Sequence, residues 1–123
     1  VLDRAPSPAS AEVWLVRLSA MEGGVTGPCV TGVAAQGVIL RDKPPERSQA
    51  VVIDAGDDVG AARDFLERLR AEGHDAKAIV CLQSVTTEAM NALIAAGAAD
   101  VVAYPVSADG LARKIRRVLR RGR

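Results

Sequence analysis

Five short apolar runs divide this chain: Val13 to Val16 extended by Leu18, Gly37 to Leu40, Ala50 to Asp54, Ala78 to Leu82, and Val101 to Ala103 or Tyr104. Each is too short for a helix and too continuously apolar for a half-exposed strand, which fits strands buried on both faces. Parallel strands need a crossover rather than a tight turn, and helical patterns fill most of the intervals. The chain therefore reads as α/β, a doubly wound five-stranded parallel sheet with helices on both faces. In such a sheet, ligands and chemistry collect at the carboxyl ends of the strands.

The later crossovers are well marked. After the third run, Asp57 or Asp58 can cap a helix whose apolar face is Ala62, Phe65, Leu66 and Leu69, and Gly73 ends it. After the fourth, Thr86 or Thr87 starts a helix with Met90, Leu93 and Ile94 as its expected apolar face, closed by Gly97. The last helix follows an N-cap at Ser107 and places Leu111, Ala112, Ile115, Val118 and Leu119 at helical spacing among six cations. The early crossovers are weaker. Gly23, Gly24, Gly27, Pro28 and Gly32 limit the first helix to about Val30 to Gln36. Pro44 and Pro45 exclude a helix interior, so the second helix is shortened or missing.

Residues 1–11, with Pro6 and Pro8 among serines, read as a linker from a preceding domain, and residues 12–121 as one domain of a longer protein. With one Phe, one Trp and one Tyr, the core must be built from Ala, Val, Leu and Ile. A net charge of +1 argues against nucleic acid as a partner, although cations gather in the last helix. No apolar run reaches membrane-spanning length. Cys29 and Cys81 lack metal-ligand spacing and read as reduced core thiols of a cytoplasmic protein. His74 has no ligand set or nucleophile beside it and reads as solvated. No metal, cofactor or catalytic set is expected, and the chain is not read as an enzyme.

Three polar groups fall at strand ends: Asp54 after the third, Gln83 or Ser84 after the fourth, and Tyr104 after the fifth, where Tyr104-Pro105 suits a cis peptide. From about Ala50 to Arg121 the chain resembles the CheY-like response-regulator receiver family, most closely over Gly97-Ala-Ala-Asp-Val-Val-Ala-Tyr-Pro-Val-Ser107 and the basic final helix. The resemblance implies a flavodoxin/receiver-like sheet. It makes Asp54 the counterpart of the phosphoacceptor, Gln83 or Ser84 that of the switch hydroxyl, and Tyr104-Pro105 that of a Lys-Pro corner.

Two positions depart from that pattern. The family's acidic pair, which holds Mg²⁺, should follow Val16, where Arg17, Leu18 and Ser19 stand, and its Lys is replaced by Tyr104. Acyl-phosphate chemistry concentrates negative charge that needs both a divalent cation and an ammonium. The resemblance thus implies a degenerate, unphosphorylated pseudo-receiver in which Asp54 caps its own loop. Such a module acts by contact with other domains of a signalling protein or with a histidine kinase, through a face of Tyr104, Arg113, Arg116, Arg117 and Arg120; a homodimer stays open. The alternatives are a cyclic di-GMP sensor using the arginines and a stacking Tyr104, the receiver-like N-terminal domain of a pilus-assembly ParA-like ATPase, and a phosphorylatable receiver using Asp54.

Overall fold

In the computed structural model of the protein, residues 11–44 and 49–121 are described. Five strands, β1 (Ala11–Arg17), β2 (Val38–Arg41), β3 (Ala50–Gly56), β4 (Lys77–Leu82) and β5 (Ala98–Ala103), alternate with four helices, α1 (Gly27–Ala34), α2 (Val59–Ala71), α3 (Thr87–Ala95) and α4 (Ala108–Arg121). All strands are parallel, in the order β2-β1-β3-β4-β5. Strand β1 takes in Ala11, whose amide bonds the Gly37 carbonyl, so the expected linker is shorter by that residue; its remainder lies outside the described residues.

The sheet separates two apolar layers. Val13, Leu15, Val52, Ile79 and Cys81 face α1 and α4, where Cys29, Val33, Leu111, Ile115 and Val118 cover them. Val51, Ile53, Val80 and Leu82 face α2 and α3, under Leu66, Leu69, Ala89 and Leu93. All seven residues of β3 are buried, the mark of a central strand covered on both sides. Both cysteines are free and buried.

Helix α1 begins at Gly27, ahead of the expected Val30. Thr26 is its N-cap residue in extended backbone and Pro28 sits in the first turn, where a missing N–H costs nothing. Gly27 and Pro28 thus belong to the helix start rather than to the loop, Gly23 and Gly24 stay in the loop as expected, and the helix ends at Ala34, short of the expected Gln36. Between β2 and β3 the described residues 42–44 and 49 hold no helix, and residues 45–48, including Pro45, lie outside the described residues. On the side of the sheet bearing α2, Trp14 of β1 meets Phe65 edge-on, with ring centroids 5.6 Å apart, and lies 6.4 Å from His74.

The caps are as the side chains dictate. Asp58 Oδ1 accepts the Ala61 amide at 2.9 Å, Thr86 Oγ1 the Ala89 amide at 3.0 Å, and Ser107 Oγ the Gly110 amide at 3.0 Å. Gly73 and Gly97 end α2 and α3 with φ of +78° and +116°. The expected apolar face of α3 is corrected: Leu93 is buried with Ala89, whereas Met90 and Ile94 are 39% and 47% exposed. Small alanines bring α3 close to the sheet, so the sheet-facing stripe runs through Ala89, Leu93 and Ala96 rather than through the larger side chains on either side.

Candidate functional site

The carboxyl ends of β1, β3, β4 and β5 converge on one side of the sheet, at the point where the strand order reverses between β1 and β3. Asp54 lies there, 2% exposed and the one buried charged or polar residue among those described. A register shift between Asp54 and Gly56, with Gly56 at φ +64°, breaks the ladder to β4 at this point. Bulges of this kind re-aim side chains beside functional sites.

The Asp54 carboxyl does not bond its own loop, which corrects the capping expectation. Oδ2 accepts the Val25 amide at 2.9 Å, and Oδ1 accepts the Tyr104 hydroxyl. The Asp54 backbone carbonyl takes the Leu18 and Ser19 amides at 2.9 and 3.2 Å. A buried carboxyl needs such partners, since an unpaired one is expensive to desolvate. Its partners come from segments far apart in sequence, because the parallel topology delivers every strand-to-helix loop to this end of the sheet.

Tyr104 is half-buried with its ring packed on the α1/α4 layer, and its hydroxyl points inward rather than to solvent. Its amide bonds the Leu82 carbonyl at 2.8 Å, and the Tyr104-Pro105 peptide is cis, as the sequence suggests. Burial, and then the hydrogen bond to Asp54, push the Tyr104 phenol well above its ordinary value, while the Gly56 backbone pulls the other way. The phenol therefore stays protonated and acts as the donor in the bond to Asp54. Burial, with the Asp54 charge second, likewise pushes up the Cys29 and Cys81 thiols, so neither is an activated nucleophile.

The loop from β1 to α1 closes over the pair. Gly23, at φ +90°, lies against the Tyr104 ring, and its carbonyl takes the Val106 amide at 2.7 Å. At Gly24 a Cβ would stand 2.6 Å from both Asp54 Oδ2 and the Tyr104 hydroxyl, so only glycine admits this approach. Sequence reasoning missed these contacts. A Gly-Gly pair in a polar crossover is a signal of close backbone approach, and here it was legible only as low helix propensity.

The other expected site residues are dispersed. Gln83 and Ser84 are exposed on the loop after β4, and neither side chain reaches Asp54. Arg17, at the end of β1, and Pro105 are exposed. Among the arginines of α4, Arg113, Arg117 and Arg120 are exposed, whereas Arg116 is half-buried and donates to the Gln36 carbonyl at the end of α1. The face expected to combine Tyr104 with four arginines is therefore divided: Tyr104 turns inward and Arg116 holds α4 to α1.

The donors present do not fit a divalent cation. Both Asp54 oxygens carry hydrogen bonds, Arg17 stands where an acid would be needed, and among the described residues no three His, Cys, Asp or Glu groups gather as a metal site. His74, far from this end, pairs with Glu72 at 3.5 Å on the surface. No helix among the described residues is long and apolar enough to cross a membrane.

No family model matches the chain, and no curated protein matches it. Solved structures do. A response regulator from Thermotoga maritima shares 21% identity over 90% of this chain and 98% of its own, with a TM-score of 0.67. HP1043, an orphan response regulator of H. pylori, shares 19% over 90% and 98%, with a TM-score of 0.68. An atypical orphan response regulator with a phosphorylation-independent regulatory mechanism shares 20% over 89% and 96%, with a TM-score of 0.68. At such identities the likeness establishes architecture, and the architecture of this chain is that of a CheY-like response-regulator receiver domain.

Proposed function

We propose that the chain is a pseudo-receiver: a signalling module that is not phosphorylated and acts by contact with other domains of the same protein or with a histidine kinase. The observation that carries this reading is the Tyr104 hydroxyl on Asp54 Oδ1. A phosphoryl group entering at Asp54 must displace that bond and the Val25 amide, with no cluster of metal-ligating side chains among the described residues and a neutral Tyr104 in place of an ammonium. The same bonds tie the loops after β1, β3 and β5 together, so the module presents one fixed conformation. An architectural neighbour is an orphan regulator with a phosphorylation-independent mechanism, which is the behaviour proposed here.

The surface proposed for contact is α4, through Arg113, Arg117 and Arg120. With Tyr104 turned inward, the aromatic platform that a cyclic di-GMP sensor would need is not offered. The test is the amide spectrum of the protein with beryllofluoride and Mg²⁺. The expected result is no change around Asp54, Tyr104 and Gly24; saturable shifts that Asp54→Asn abolishes would establish a phosphorylatable receiver instead.

A further inference from the structure

Helix α4 carries six Arg or Lys and one acid, whereas the whole chain has a formal net charge of only +1, so the rest of the molecule is net acidic. Three of the helix's charged groups on its flanks are engaged. Lys114 pairs with Asp100 at 3.0 Å on the β5 side, Arg116 bonds the Gln36 carbonyl on the α1 side, and Asp109 accepts the Gln36 side-chain amide at 2.5 Å. Asp109 and Arg113 stand four residues apart, the spacing of a helical ion pair, yet Asp109 turns to Gln36.

Arg113, Arg117 and Arg120 remain. They follow one another at four and three residues on the side opposite buried Leu111, Ala112, Ile115 and Val118, and all three are exposed. None makes an ion pair or hydrogen bond among the described residues. They form a straight stripe about 10 Å long pointing directly away from the sheet.

Solvation alone does not require this pattern. Helix α2, equally exposed on its outer side, sets Arg63 against Glu67 and Asp64 against Arg68, opposite signs at four-residue spacing. On α4 the corresponding pair, Arg113 and Arg117, has like sign, which disfavours the helix. The dipole favours cations in the last turn and helps Arg120, but Arg113 lies in the first half of the helix and gains nothing from it.

We infer that the outward stripe of Arg113, Arg117 and Arg120 is a docking surface for an acidic helical segment of another domain or protein, with carboxylates at matching four- and three-residue spacing. Charge complementarity carries the choice of occupant. Three cations contact roughly three phosphates, against the roughly six to ten of a protein held on DNA, and the net acidic remainder of the domain repels a polyanion. A short acidic helix meets the stripe alone, and guanidinium forks pair well with carboxylates. The inference rests on the reading of the chain as an interaction module.

The test is fluorescence anisotropy at near-physiological salt with three probes: a labelled helical peptide bearing Glu in that spacing on one face, a peptide of equal composition with its Glu residues spread around the helix, and a short DNA duplex. The striped peptide is expected to bind about tenfold tighter than either of the others. The variant Arg113→Gln/Arg117→Gln/Arg120→Gln should lose that binding with an unchanged thermal melt, while Arg70→Gln/Lys77→Gln, away from the outer face of α4, keeps it. Equal binding of the two peptides, tighter binding of DNA, or full binding by the triple variant overturns the inference. Failure here with no response to beryllofluoride leaves the pseudo-receiver reading standing; striped-peptide binding alongside a beryllofluoride response has the opposite meaning.

Discussion

The Tyr104 hydroxyl donates to Asp54 Oδ1 across fifty positions of sequence, at the carboxyl edge of the parallel sheet. The bond joins the end of β3 to the corner after β5. Through the Val25 amide the loop after β1 is fastened to Asp54, and through the Gly23 carbonyl to the Val106 amide just beyond Tyr104.

Removing the donor exposes what the bond contributes. Tyr104→Phe leaves Asp54 Oδ1 buried without its partner and is expected to cost about 1–3 kcal/mol in denaturant unfolding. In a double-mutant cycle with Asp54→Asn, a favourable coupling between the two positions is expected, because each substitution removes part of one shared interaction. Strict additivity would place Tyr104 and Asp54 side by side without interacting.

The phenol itself can be titrated, since Tyr104 is the only tyrosine. Its folded-state value is raised above the ordinary 10.0, by burial first and then by Asp54. A raised value means that the folded state holds this proton more tightly. The stabilisation is therefore complete below about pH 10 and lost as the pH climbs through the folded-state value. Phenolate absorbance should rise only above the range of a free tyrosine, and Asp54→Asn should bring the transition back toward that range. Titration at an ordinary value in the folded protein would show a hydroxyl open to solvent.

The loop over the site tolerates side chains unequally. Gly24→Ala drives a methyl into Asp54 Oδ2 and the Tyr104 hydroxyl and should cost roughly 1–3 kcal/mol. Gly27→Ala, where a Cβ meets nothing within 4 Å and the backbone is helical, should be neutral or stabilising by up to about 1 kcal/mol. Thermal melts of the two variants check the contrast.

On α3 the burial pattern predicts a similar contrast. Leu93→Ala, at a fully buried position, should cost about 2–5 kcal/mol, whereas Ile94→Ala, nearly half exposed, should cost well under half of that. Equal losses would contradict the orientation of the helix.

The parallel sheet, its five strands and the caps at Asp58, Thr86 and Ser107 were legible because buried strands and capping side chains leave local patterns. Asp54 and Tyr104 were legible as strand-end residues for the same reason. Their mutual bond was not, because it depends on the crossover of β4 and α3 returning the chain to within reach of β3. The position of Val25 was hidden because its contribution is a backbone N–H, which leaves no mark on residue identity. Met90 and Ile94 misled for a different reason: helical spacing alone cannot tell which of two adjacent apolar stripes meets the sheet, and here close approach by alanine decides it. The cations of α4 were legible as a group, but which of them stay free depends on Gln36, which takes Arg116, and on Asp100, which takes Lys114.

Intact-mass spectrometry after incubation with acetyl phosphate and Mg²⁺ addresses the central claim most directly, with Asp54→Asn run alongside. If Tyr104 and Val25 hold Asp54 closed and no cation site supports the product, the mass of the wild-type protein is unchanged after prolonged incubation. Stoichiometric gain of one phosphoryl group by the wild type, absent in Asp54→Asn, would contradict it.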